Sequence, residues 1–161
     1  MAQLQRRDLT FAETAPWRLN FGATIAATPA EVWATFIDNE SWTRWFVGCR
    51  VCRGIGASFD GVGSRRYIEV SGLTVDEEFI AWEPEHLWAF TALDMKRAFA
   101  TALVERATFT AEPDGRTRID YRMAIAPTWW AKPFRRMLQS RSTKAFAASF
   151  VNLEREIASR R

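Results

Sequence analysis

Histidine occurs once in this 161-residue chain and cysteine twice, and that scarcity removes most site chemistry that depends on those side chains. A structural zinc centre needs four ligands, usually Cys or His. Cys49 and Cys52 form a C-x-x-C pair, but His86 is the only other residue of either kind, so no metal and no cofactor is expected. The pair also sits in the strand-like run Cys49-Arg50-Val51-Cys52, where positions three apart point to opposite faces, and not at the helix start that a thioredoxin-like pair requires. Two free thiols are the expectation. His86 lies in the turn Glu83-Pro84-Glu85-His86, beside two acids, the setting of a surface residue rather than a base. No Ser-His-Asp set is present, and the glycines at 54, 56, 61 and 63 fall between strands, not ahead of a helix that would cradle phosphate.

Long apolar runs are missing too. No window reaches transmembrane length, and residues 1–16, MAQLQRRDLTFAETAP, carry charges without a continuous apolar stretch, so neither a secretory signal nor a membrane anchor is read there. The expectation is a cytoplasmic protein with no integral membrane association, residues 1–16 being a loosely ordered extension and 17–161 a single domain. A strong charge bias is also lacking: 22 basic residues face 19 acidic ones, a net charge of +3. Lys and Arg do not cluster between spaced aromatics, so no nucleic-acid partner is expected, and the stretch from Arg135 and Arg136 through Arg141 and Lys144 reads as a solvated helix face. A monomer or homodimer fits these numbers.

Aromatic residues are what the chain has in excess, with eight Trp and twelve Phe. Rings in that quantity fill a core, line a cavity or form a partner surface. Three of the tryptophans fall in Thr28 to Trp45, TPAEVWATFIDNESWTRW. Thr28 and Glu31 have capping-box spacing, Pro29 supplies the fixed φ of a first helical turn, and Val32, Trp33, Phe36 and Ile37 form one apolar stripe. Trp42, Trp45 and Phe46 follow behind Asp38-Asn39-Glu40, so two short helices are predicted in close succession.

Before this wedge, Trp17, Leu19, Phe21, Ala23 and Ile25 alternate with more polar residues as in a half-buried strand. After it, strands are predicted at Cys49 to Arg53, Arg65 to Val70, Leu73 to Glu83, His86 to Leu93, Thr101 to Ala111 and Thr117 to Ile125. Ser71-Gly72 has the spacing of a tight hairpin, Asp94 to Arg97 reads as a loop, and Asp114-Gly115 suits the positive φ angles of a type I′ turn. From near Pro133 the period becomes helical, with Phe134, Met137, Leu138, Phe146, Phe150, Leu153 and Ile157 on one apolar face. Hairpins in succession make an antiparallel sheet, and the final helix is the element long enough to cover it.

This order, with the motifs AATPAEVWATFIDNESWTRW, GVGSRRYIEV, DEEFIAWEPEHLWAF, ATFTAEPDGRTRIDYRMAIAP and FAASFVNLEREIA, resembles the helix-grip, START-like (SRPBCC) superfamily of polyketide cyclases, aromatase/cyclases, plant allergen-type carriers and lipid-transfer domains. The resemblance covers about Trp17 to Ile157. It implies an α+β helix-grip fold: a curved antiparallel sheet of about seven strands wrapped around a long C-terminal helix, with two short helices after the first strand and an internal cavity opening near them.

Alternation then proposes the walls of that cavity. Val75, Glu77 and Phe79 come from the fourth strand, Trp88 and Phe90 from the fifth, Tyr121, Met123 and Ile125 from the last. Trp33, Trp45, Trp129, Phe134 and Phe146 are placed at its ends or on the helix side, with Trp33 and Trp45 as gate or wall and Trp42 as an anchor of the wedge. For any one of these rings, plain core filling is the competing reading. Glu77 shares its strand parity with Leu73, Val75, Phe79 and Ala81; a carboxylate facing an apolar cavity must pair, protonate or meet a ligand. Arg66 or Arg106 is a possible partner, and the facing of the strand that holds Arg66 is left open. Glu77 and Tyr121 are the candidate catalytic groups, as general base and as a hydroxyl that orients a carbonyl. Three functions follow: binding or transport of a small hydrophobic or aromatic molecule, a polyketide cyclase/dehydratase-like activity, or a protein-partner module with its aromatics outside.

Overall fold

The computed structural model describes residues 1–161, and its helical wedge begins as the capping box dictates. The Glu31 N–H donates to Thr28 Oγ1 at 3.3 Å and the Thr28 N–H donates to Glu31 Oε2 at 2.8 Å, so two amides at the head of α2 (Pro29–Ile37) are satisfied reciprocally. A 3-10 turn (Asn39–Ser41) leads directly into α3 (Trp42–Trp45).

The sheet is antiparallel and built from hairpins. Seven strands, β2 (Trp17–Ile25), β3 (Cys49–Ile55), β4 (Arg65–Val70), β5 (Leu73–Glu83), β6 (Leu87–Lys96), β7 (Ala100–Ala111) and β8 (Thr117–Pro127), lie in the order β2-β8-β7-β6-β5-β4-β3. The first strand thus pairs with the last, and each of the others neighbours its sequence neighbour. The long helix α4 (Arg135–Ser159) follows a 3-10 turn at Trp129–Phe134 and lays Phe146, Phe150, Leu153 and Ile157 on the concave face. This is the predicted α+β helix-grip architecture.

Turn chemistry sits in a different place from the one predicted. Ser71 and Gly72 both have positive φ, 52° and 81°, so the two-residue type I′ turn joins β4 to β5. At Asp114-Gly115 only Gly115 is left-handed, at 79°, and its N–H donates to Glu112 O at 3.0 Å. Pro113 holds φ negative at the first central position, which converts the hairpin into a three-residue loop with glycine last. The expected loop at Asp94 to Arg97 is also largely strand, since β6 continues to Lys96.

That extension of β6 has a partner. Ala2–Gln3 forms a short strand, β1, paired with Met95 and Asp94, and the Leu4 and Gln5 N–H groups donate to Leu93 O and Thr101 O, both at 2.8 Å. Next, α1 (Phe11–Thr14) sets Phe11, Ala12 and Ala15 against Ala102, Val104 and Ala124 on the convex face of the sheet. The first sixteen residues, expected to be loose, therefore cover sheet surface that alternation leaves apolar. The reading of Cys49 and Cys52 as opposite-facing is likewise corrected. A register shift between Cys49 and Val51 adds a residue to β3, so both thiols are buried, and both are free.

The candidate functional site

Between the concave face and the first half of α4 lies a cavity of about 660 Å³, within the range of small-molecule sites. Its walls are mostly apolar; four polar groups gather on the sheet, Arg66 from β4, Glu77 from β5, Glu105 from β7 and Tyr121 from β8, while Ser71, Arg97, Arg141 and Ser142 stand elsewhere on the lining. Lining residues that are also exposed, Val47, Ser71, Arg97, Trp130, Phe134, Met137 and Arg141, mark where the cavity meets solvent.

The register explains the first pair. Arg66 stands opposite Glu77 across β4 and β5, as Ile68 stands opposite Val75, so an inward Glu77 forces an inward Arg66. Both Nε and Nη2 of Arg66 reach Glu77 Oε2, at 2.7 and 2.6 Å, and the two side chains are 1% and 4% exposed. The guanidinium also lies over Trp42 at 4.3 Å and within 5.6 Å of the ring centres of Trp88, Phe79 and Phe90. An aromatic cage of this kind stabilises a desolvated cation. Burial opposes the Arg66 charge, but the Glu77 carboxylate holds its pKa above the ordinary value. For Glu77, burial is the larger effect and carries it up to about 7 despite Arg66.

The second pair is Glu105 with Tyr121. The Tyr121 hydroxyl donates to Glu105 Oε2 in a short hydrogen bond. Glu105 is enclosed by protein yet keeps accessible surface, and that surface faces the cavity. Burial raises it to about 8, with the Glu77 charge adding and the Tyr121 bond opposing. At neutral pH Glu105 is consequently a carboxylic acid. With Oε2 accepting from Tyr121, the proton resides on Oε1, which has no protein partner and is not sealed from the cavity. A neutral acid donor in an apolar wall binds an acceptor on whatever enters.

The predicted site residues divide into three groups. Val75, Glu77, Phe90, Tyr121, Met123, Phe134 and Phe146 line the cavity. Phe79, Trp88, Trp33 and Trp45 belong to the solid core. Trp88 is fully buried beneath Arg66; Trp33 packs edge-on against Trp82 and Phe109; Trp45 sits on Phe36 and Trp42 and donates from Nε1 to Ser41 Oγ at 3.1 Å. The roles given to the wedge are thereby exchanged, since Trp42 lines the cavity and the two proposed gate residues do not. Ile125 is also core, and Trp129 is 83% exposed outside the cavity, where its neighbour Trp130 lines the rim. Of the four polar groups on the sheet wall, Glu105 is the one sequence reasoning did not name, and Arg66 was named only as a partner for Glu77, with its facing left open. Arg106, the other suggested partner of Glu77, bonds Glu13 Oε1 at 2.6 Å.

A curved antiparallel sheet gripping one long helix, with an apolar cavity between them, defines a START-like helix-grip domain. The chain belongs to the family described as "Polyketide cyclase / dehydrase and lipid transport", whose model matches residues 16–158. An uncharacterized protein of Mycobacterium tuberculosis (strain H37Rv) is 30% identical over 134 residues, covering 83% of this chain and 80% of the relative; one from Mycobacterium bovis matches equally. Among solved structures, a START superfamily protein from Mycobacterium smegmatis has a TM-score of 0.72 at 10% identity, covering 89% of this chain and 99% of that one. A Thermus thermophilus protein gives 0.73 at 15%, with 89% and 98% covered, and Ara h 8.0201 gives 0.67 at 12%, again with 89% and 98% covered. At such identities the likeness is one of fold. No helix is long and apolar enough to cross a membrane.

Proposed function

We propose that this protein binds a small, mostly apolar molecule that carries a hydrogen-bond acceptor, such as a carbonyl, presented to Glu105. The observation that supports this is a cavity of about 660 Å³ in which Oε1 of the half-buried carboxylic acid Glu105 has no protein partner. Apolar walls supply affinity in proportion to the area covered, and a donor set among them fixes orientation. The bound molecule takes its place between Trp42, Phe46 and Phe90 on one side and Met137, Leu138 and Phe146 of α4 on the other.

The test is titration with a flavonoid ketone, followed by tryptophan quenching, beside native mass spectrometry for a copurified ligand. Below about pH 8 the Glu105 proton is present and donates to the ketone; above it the carboxylate repels the same oxygen. Affinity therefore falls as pH rises past that value, by at most tenfold per pH unit, and Glu105→Gln, a permanent donor, flattens the profile. Absence of any bound ketone, hydrocarbon or copurified mass would refute the proposal.

A second reading, turnover of a polyketide-like substrate, draws on one observation: two cavity carboxyls, Glu77 and Glu105, titrate near neutrality beside a tyrosine. Such groups are matched to proton transfer at an enolisable carbon. Glu105 replaces Glu77 as the leading acid-base group because it keeps accessible surface toward the cavity, whereas Glu77 is 3% exposed and paired with Arg66. Conversion of a linear poly-β-ketone that Glu105→Gln abolishes while leaving its binding intact would favour this reading over simple carriage.

A further inference from the structure

The rim of the cavity carries apolar surface that the interior does not account for. Trp129 is 83% exposed, Phe134 50%, Met137 47% and Trp130 45%, all within the 3-10 turn and the first turn of α4. Soluble monomers rarely leave apolar side chains of this size grouped on the surface unless something covers them. Three of the four also line the cavity, so the patch and the entrance are one surface.

Charge identifies the covering medium. No Asp or Glu occurs between Asp120 and Glu154, whereas Lys132, Arg135, Arg136, Arg141 and Lys144 all fall in that interval. None of these five makes an ion pair. The contrast lies in the same helix: at its far end Arg160 pairs with Asp38 and Glu156, and Arg161 pairs with Glu31. At the far end Arg155 alone among the cations lacks a partner, whereas beside the cavity all five do.

From this juxtaposition we infer that the rim formed by Trp129–Phe134 and the start of α4 docks peripherally on an anionic lipid bilayer, with the cavity mouth against the membrane. Tryptophan and phenylalanine seat at the boundary between headgroups and acyl chains, and unpaired Lys and Arg are drawn to the negative leaflet surface. A nucleic acid would match the charge but gives no use for Met137 and Phe134 beside an apolar opening. Docking stands independently of what the cavity holds; that the membrane is where the ligand enters or leaves rests on the binding function proposed above.

The experiment is flotation of the full chain with phosphatidylcholine vesicles, with and without phosphatidylserine. Expected is partition onto the mixed vesicles, weakened by salt, and little onto phosphatidylcholine alone. Each basic residue near the surface is worth about fivefold in partition, so Arg135→Ala/Arg136→Ala loses about 30-fold on anionic vesicles. Trp129→Ala weakens partition on the same vesicles. Neither residue set lines the cavity, so ketone binding in vesicle-free buffer stays at the wild-type value in both variants. Loss of ketone binding in the wild type would refute the cavity function and leave docking standing. Docking is overturned by no partition onto anionic vesicles, by equal partition of the wild type and the arginine variant, by tighter capture on an oligonucleotide than on vesicles, or by a stable dimer that hides Trp129.

Discussion

The two halves of the Arg66–Glu77 pair differ in how they respond to losing their partner. Arg66 cannot shed its proton, so Glu77→Gln leaves a full charge in a site where the side chain is 1% exposed. Breaking a buried pair in this way costs about 3–5 kcal/mol, or roughly 6–20 °C in Tm for a domain of this size. Arg66→Met strands an acid that has an escape, because Glu77 can bind a proton. In the wild type burial already holds it at about 7, and Arg66 is the group that keeps it from rising further. The sign follows from the raised value: a folded-state carboxyl above its unfolded value binds more protons when folded, so stability falls with pH between the two. Wild-type stability stops falling from this cause at about pH 7, whereas that of Arg66→Met continues down to the variant's own higher value. The gap between them widens by about 1.4 kcal/mol per pH unit. Losing Arg66 also removes a charge that holds Glu105 down, and this acts in the same direction. Urea denaturation followed by far-UV circular dichroism at about pH 6 and about pH 9 measures the difference. Arg66→Met should be mild at the lower pH and severe at the higher, Glu77→Gln severe at both, and Arg66→Met/Glu77→Leu better than Glu77→Gln alone. Equal cost of Arg66→Met at both pH values, or a milder effect of Glu77→Gln than of Arg66→Met at the lower one, would refute the reasoning.

Burial pushes the Cys49 and Cys52 thiols up to about 11 and about 12, so the native protein should resist alkylation by iodoacetamide at about pH 8 and take up two labels when unfolded in urea; rapid native labelling would contradict the bulged, inward β3. Phe11→Ala removes the ring that α1 lays on Ala102, Val104 and Ala124, at an expected cost of about 3 kcal/mol by thermal denaturation. An unchanged Tm would return residues 1–16 to the status of a loose extension.

Most of the architecture was legible because it rests on local rules that agree with one another. The capping box, the Ser71-Gly72 spacing, the alternation in Thr117 to Ile125 and the helical period after Pro133 each specify one element, and short connections leave few ways to assemble them. What failed depended on single residues. The bulge at Cys49/Val51 inverts the facing of one thiol, and no composition signal announces it. The N-terminal residues looked dispensable because their apolar side chains, Leu4, Phe11, Ala12 and Ala15, have neither period; their burial follows only once the convex face of β7 and β8 is known to be apolar.

The site shows the same limit more sharply. Glu77 was found by parity, and the same test applied to Thr101 to Ala111 picks out Glu105, which shares its phase with Leu103, Ala107 and Phe109. That signal was present but masked by Val104 and Ala102, apolar residues on the other phase that serve α1 on the convex face. A strand apolar on both faces loses the alternation that reveals an inward acid. Arg66 was hidden for a different reason: its strand carries Tyr67 and Glu69 on one phase and Ile68 and Val70 on the other, so its facing is fixed only through the cross-strand register with Glu77. The tryptophan wedge marks the boundary most clearly. Sequence puts Trp33, Trp42 and Trp45 together, but of the three Trp42 is the ring that reaches the cavity, where the Arg66 guanidinium lies over it. Flanking that charge does not by itself make a ring a site residue, because Phe79 and Trp88 flank it too and stay in the core; the charge comes from a strand more than twenty positions away in the chain, and the wedge alone does not carry the distinction.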